Sequence, residues 1–249
     1  MLEAWDLVPD SERTADGTAT FILFCEDTVN EPSYFRSFNI PGKVKVNIVE
    51  GQLCSFKNIV KTLQYCEKEG LLDSTNGNYR IKEGTTKHIW SVFDRDTETE
   101  DSIQIDNEKD LQFTLSIQLA SNAGIEVAWS NDVFELWILL HFENLQSGIW
   151  RHRNYVYERL TTVFKKLPNQ PSSMIEITGK KDFNYKLHLK KRAFFIQFVL
   201  PYLVPGRDIA IQRALELENH FNASEKYHKR NPCTRVHHLV KSILSFSGQ

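Results

Sequence analysis

Between residues 20 and 142, short apolar runs alternate with stretches of helical periodicity, and this alternation constrains the fold more than any other feature of the chain. Residues 20–25 are apolar almost throughout, as a strand covered on both faces must be. A helix is expected from Glu31, with Pro32 in its first turn. Val44, Val46 and Ile48 alternate as a second strand, and Phe56, Ile59, Val60 and Leu63 then recur at helical spacing behind Ser55 as a cap. Residues 88–93 predict a third strand and 125–129 a fourth; Leu111, Leu115 and Leu119 mark the helix between them, and Phe134, Trp137, Ile138 and His141 the helix after. The order βαβαβαβα belongs to a parallel sheet wrapped by helices, because each parallel pair needs a crossover.

From Trp150 onward strand signals nearly vanish. Residues 193–200, residues 209–217, and Val236, Leu239, Val240, Ile243 and Leu244 carry helical patterns, residues 167–173 read as a loop, and Asn231-Pro232 reads as the cap and first-turn proline of the last helix. The expected architecture is α/β: a parallel sheet flanked by helices in residues 1–149, with a basic, mainly helical lobe in residues 150–249 packed on it. Within the 249 residues, 41% hydrophobic content is enough to bury a sizeable core. No apolar run reaches the roughly 20 residues of a membrane span, and the first 17 residues lack the order of a secretory signal, so a cytoplasmic location is expected. Cys25, Cys54, Cys66 and Cys233 form no CxxC pair, which suits reduced thiols better than disulfides or a zinc cage.

The net charge of −2 conceals a division. Residues 1–149 carry 25 acids and 12 bases, a balance of −13, and residues 150–249 carry 7 acids and 18 bases, a balance of +11. Such a chain suits one part holding divalent cations and another holding phosphates, although two oppositely charged faces attracting each other give the same count. The acids concentrate where strands end. Glu26 follows the first strand, and Asp94 and Asp96 follow the third, so a parallel sheet brings all three to its carboxyl edge, where open α/β sheets bind ligands. Two aspartates one residue apart in an extended segment project to the same side, and such oxygens are ligands for Mg2+ or Mn2+.

Residues 24–35 (Phe-Cys-Glu-Asp-Thr-Val-Asn-Glu-Pro-Ser-Tyr-Phe) resemble the first motif of RloB-like proteins, a Cys-Glu-Gly segment followed by Thr-Glu-Pro-x-Tyr-Phe. Residues 92–96 (Val-Phe-Asp-Arg-Asp), 129–142 and 231–240 resemble the later motifs, in the same order. The resemblance implies a TOPRIM-like fold, as in topoisomerases and primases, and a role in bacterial anti-phage defence, often beside an ATPase of the ABC or AAA type. Asp27 stands where the family usually has Gly, and Asp132 where it usually has Pro. It also implies a metal nuclease in which Glu26, Asp94 and Asp96 are ligands and Glu31 or Glu135 completes a second position. The plainer readings are that Asp94 and Asp96 are solvated loop acids, that Glu31 is a first-turn helix acid, and that Asp132 and Glu135 form a capping box. His141, on the apolar helix face, reads as a core histidine, and Trp137 as core.

Lys180, Lys181, Lys190, Lys191 and Arg192 interleave with aromatic residues, a mixture suited to docking nucleic acid or to a solvated helix face. Lys186 is the lysine expected to reach the scissile phosphate. The expected function is hydrolysis of phosphodiester bonds in DNA or RNA with Mg2+ or Mn2+. The alternative, from a different class, is a TOPRIM-like module that binds nucleic acid or a partner without cutting, and nucleotidyl transfer is a third. The sequence has no GxxxxGK[ST] loop, so ATPase activity has to come from a partner. Self-association remains open.

Overall fold

The computed structural model describes residues 17–52, 54–75, 78–96 and 107–248. Nearly all of the N-terminal stretch that lacks the order of a signal, and the acidic stretch after Asp96, lie outside the described residues. Strands β1 (Ala19–Cys25), β2 (Val44–Val49), β5 (Lys87–Asp94), β6 (Glu126–Asn131) and β7 (Cys233–Thr234) form one sheet in the order β2-β1-β5-β6-β7, parallel except for β7. Strand β1 lacks alternation because it is buried on both faces. Phe21, Leu23 and Cys25 join the larger core, while Ile22 and Phe24 join a second one with Val49, Tyr65 and Ile89.

Helices α1 (Asn30–Arg36), α2 (Ser55–Lys68) and α3 (Asn107–Ala123) lie in the crossovers, α4 (Glu135–Leu140) follows β6, and all four keep the expected order. Details depart from the sequence reading. Cys54 rather than Ser55 precedes α2, and it makes no side-chain cap. In α3 the buried face is Phe113, Ile117 and Ala120, so Leu111, Leu115 and Leu119 mark the correct helix from its exposed side. An antiparallel pair, β3 (Leu72–Thr75) and β4 (Asn78–Ile81), was not expected, because its polar, mostly exposed residues carry no apolar alternation.

The second half contains α5 (Arg153–Lys166), α6 (Ser172–Thr178), α7 (Tyr185–His188), α8 (Arg192–Phe194), a π-helical turn (Phe195–Val199), α9 (Leu200–Leu203), α10 (Arg207–Asn219) and α11 (Val236–Ser247). It shares the larger core with the sheet: Leu160, Phe164, Phe195, Leu217 and Ile243 belong to one cluster with Phe21 and Trp90. Asn231-Pro232 does not open the last helix. The Asn231 side chain is spent on Arg151 and Asn131, residues 233–234 extend the sheet beside β6, and only then does α11 begin. The helical stretch from Arg192 to Asn219 is 28 residues long, apolar enough to cross a bilayer by length and composition. It is interrupted by Pro201 and Pro205, and it sets Phe195, Phe198, Leu203, Ala210 and Leu217 into the core while Ile196, Val204, Ile209 and Leu215 stay exposed.

Candidate metal centre

The register of β1 against β5 pairs Cys25 with Val92 and so delivers Glu26 and Asp94 to adjacent places on the carboxyl edge. The Glu26 N–H donates to the Val92 carbonyl at 3.0 Å, and the Asp94 N–H donates to Glu26 Oε2 at 3.2 Å. Asp94 Oδ2 accepts the Phe134 N–H at 2.8 Å, which ties this edge to the start of α4. Both residues are half-buried. Glu31, in the first turn of α1, and Glu135, the first residue of α4, are buried behind them. Glu31 Oε2 accepts the Asp27 N–H at 3.1 Å. Glu135 Oε1 accepts from Asn30 Nδ2 at 2.6 Å and lies 2.8 Å from Lys190 Nζ, so Glu135 is committed to these groups.

Asp96 does not sit as an extended Asp-x-Asp would place it. The strand stops at Asp94, and Asp96 has φ 60°, a left-handed conformation that aspartate tolerates. Between them Arg95 turns inward to Asp110 at 2.6 Å, while Asp96 is 59% exposed and paired with Arg153 at 2.9 Å. Arg153 is held in turn by Asp132, whose Oδ1 lies 3.0 Å from its Nη2. Asp27, in the glycine position, accepts the N–H groups of Val29 and Asn30 at 3.0 and 2.7 Å and so caps the entry to α1.

The electrostatics bind these acids into one group. Burial pushes the Glu26 carboxyl up to about 7, with Asp96 and Asp27 adding to the rise and the Asp94 N–H and Arg153 opposing it. Burial also raises Glu31 well above the carboxylate range, helped by Asp27, Glu26 and Glu135. Asp94 rises for the same reason, with Glu31, Glu26, Asp96 and Glu135 as the contributing charges. Such a cluster is relieved by protons or by a cation. Asn30 Oδ1 is buried and accepts no hydrogen bond among the described residues, adding a hard oxygen beside the carboxylates. Carboxylate and amide oxygens fit Mg2+ or Mn2+ and do not fit a soft ion. The carboxylates share an edge without closing into a cage: no three of them bring their ligand oxygens within 4.8 Å of one another.

The lysines divide differently from the sequence expectation. Lys190, expected as a docking residue, reaches into the site. Burial opposes its charge, yet Glu135 and Tyr157 hold its ammonium well above the usual range. Lys186, expected at the scissile phosphate, is exposed, with Nζ 5.2 Å from the Tyr157 ring centre. Lys180, Lys181 and Lys191 are exposed; Arg192 Nη2 is engaged by Glu50 at 2.8 Å and by the Thr28 carbonyl. His141 is a core histidine: burial pushes its imidazole down to about 4, and Nδ1 lies 2.9 Å from the Trp137 carbonyl. Asn30, Arg153 and Tyr157 were not singled out from sequence. Asn30 lies inside the first motif, whereas Arg153 and Tyr157 come from α5 and carry no local signal.

A family model described as RloB-like protein matches residues 21–243. No curated protein matches the chain, and no solved structure does.

Proposed function

The chain belongs to the RloB-like family, and from that premise we propose that it is a Mg2+- or Mn2+-dependent nuclease that hydrolyses phosphodiester bonds, on a TOPRIM-like carboxyl edge. The observation that supports this most is the convergence of Glu26, Glu31 and Asp94, whose carboxyls burial and mutual repulsion raise together. Each of these carboxylates accepts one backbone N–H, and the charges that raise it are those of other acids. When bound, a divalent cation lowers the pKa of a water and supplies positive charge beside the phosphoryl oxygens.

The chain's own residues divide the remaining work. Glu26 and Asp94 hold the cation, with Glu31 and the Asn30 amide behind them. Asp96, steadied by Arg153, completes the rim. Lys190, fixed by Glu135 and Tyr157, is the ammonium placed to meet a phosphoryl oxygen, a role for which it is better situated than Lys186. Water is the nucleophile. Lys180, Lys181 and Lys191 on the exposed face of the basic half dock the nucleic acid backbone. From the resemblance of its motifs we propose a cytoplasmic role in anti-phage defence under the control of an ABC- or AAA-type ATPase.

The test is incubation of purified protein with plasmid, single-stranded DNA and bulk tRNA, each with Mg2+, Mn2+ or EDTA, with and without the neighbouring ATPase. Cleavage that needs metal and rises with the ATPase is the expected result. Tight binding with no cleavage under any of these conditions makes the chain a binding module instead.

A further inference from the structure

Away from the carboxyl edge, the last turn of α10 meets the first turn of α11, and three ligand-bearing side chains converge there. Glu218, His237 and His238 bring their ligand atoms within 4.8 Å of one another, and no other group of three His, Cys, Asp or Glu side chains among the described residues closes so tightly.

His237 is fully buried, and both its ring nitrogens face oxygen. Nδ1 lies 3.1 Å from the Thr234 carbonyl, and Nε2 lies 3.0 Å from Glu218 Oε2. A carbonyl and a carboxylate only accept, and a neutral imidazole has one N–H, so one of the two contacts sets lone pair against lone pair. The conflict falls at Nε2, which makes no hydrogen bond among the described residues. His238 Nε2 reaches the same oxygen, 2.7 Å from Glu218 Oε2, and lies 3.3 Å from Arg235 Nη2. Two remedies exist. One puts a second proton on a fully buried ring in a cluster that already contains the Arg235 guanidinium, which burial penalises. The other puts one cation among the three atoms, where two neutral imidazoles and a carboxylate are the donors that borderline-soft divalent ions take.

We propose that Glu218, His237 and His238 form a second metal site, specific for a borderline-soft divalent cation of the Zn2+ class, that ties the end of α10 to the start of α11. The site is separate in chemistry from the oxygen-only carboxyl edge. The Arg235 guanidinium, with Nε 3.0 Å from Glu218 Oε1, forms an ion pair with the carboxylate on its other oxygen. His238 is 35% exposed and opens a fourth position to solvent.

The probe is Zn2+ titrated into the full-length protein, stripped of metal, in the presence of excess Mg2+ to occupy the carboxyl edge. One Zn2+ per chain is expected to bind. His238→Gln, at a partly exposed position, should keep the circular dichroism spectrum and lower Zn2+ affinity by more than the ~10–100-fold that outer-shell changes cost; Glu26→Gln should leave that affinity unchanged. Should His238→Gln fail to fold, pulsed electron paramagnetic resonance of the Cu2+-loaded wild type decides, through coupling to two imidazole nitrogens. No Zn2+ retained against Mg2+, wild-type affinity in folded His238→Gln, or absence of imidazole coupling overturns the proposal and leaves a protonated His237 in an ion pair between the helices.

Discussion

Two groups of carboxylates among the described residues are treated in opposite ways. Glu218, at the end of α10, meets nitrogen. Burial pushes its carboxyl up, yet His237, His238 and Arg235 hold it well below the usual range. Glu26, Glu31 and Asp94, at the carboxyl edge, each accept a backbone N–H, but burial and the charges of neighbouring acids push all three up. The difference teaches that residue type does not define a site. An acid facing nitrogen joins two helices, or a borderline ion; acids facing one another need a hard cation or a proton.

The contrast breaks most visibly in catalysis. Glu26→Gln and Asp94→Asn keep shape and, for Asp94, an oxygen to accept the Phe134 N–H. Each is expected to lower cleavage per folded molecule on the order of 1000-fold, the scale of removing a preorganised electrostatic group. Glu218→Gln should instead cost stability, with turnover falling only in proportion to folded protein. A gel-based cleavage assay normalised to the folded fraction measures both.

Next in size is the lysine comparison. Lys190→Met leaves the buried Glu135 carboxylate without its ion-pair partner, a loss of roughly 3 kcal/mol for a buried pair, reduced towards about 1 kcal/mol by solvent at the lysine. Lys186→Met, at an exposed position, should stay within about 0.5 kcal/mol of wild type. Urea denaturation of both variants distinguishes the lysine built into the site from the one beside it.

A smaller effect is expected with pH. The folded carboxyl of Glu26 is raised from 4.5 to about 7, so the folded state binds more protons than the unfolded state between those values. Stability of metal-free protein should therefore fall as pH rises from about 4.5 to 7, and level above it. Metal competes with those protons, so the Mn2+-induced gain should grow over the same interval. Melting curves with EDTA and with Mn2+ across this range test the sign; a metal-free stability that rises through the window would contradict it.

The smallest effect concerns the exposed basic surface. Replacing Lys180, Lys181 and Lys191 with Gln should weaken binding across all nucleic acid sequences and lower the salt slope by about one for each phosphate no longer neutralised, with no change in melting temperature. Arg192 is left out because Glu50 and Thr28 already hold it. Fluorescence anisotropy at several salt concentrations reads the slope.

Much of the sheet was legible because a strand buried on both faces must be apolar along its whole length, as β1 is. Glu26 and Asp94 were legible for a related reason: parallel strands end on one edge, so a polar residue directly after such a run has few places to go. The partners of these acids were not legible. Asn30 reaches Glu135 across 105 positions of chain, and Arg153 reaches Asp96 from a helix in the other half. Leu111, Leu115 and Leu119 gave the right helix with the wrong face, since spacing reports periodicity and burial decides orientation. Residues 233–234 were hidden because a two-residue strand leaves no pattern. The Glu218 cluster was invisible because reasoning about zinc from cysteine spacing overlooks a site made by two adjacent histidines and a glutamate 19 residues before them.

The central claim is that the acids of the carboxyl edge hold a divalent cation, and thermal melting of wild type, Glu26→Gln and Asp94→Asn in EDTA and in Mn2+ tests it most directly. At about 100 times its Kd, Mn2+ should stabilise wild type by about 2.7 kcal/mol, a rise of roughly 5–10 °C for a chain of this size. Both variants should be no less stable than wild type in EDTA, since each removes one of several repelling charges, and both should lose most of the Mn2+ shift. Variants that melt below wild type in EDTA and keep the full Mn2+ shift would contradict the claim and make Glu26 and Asp94 structural acids.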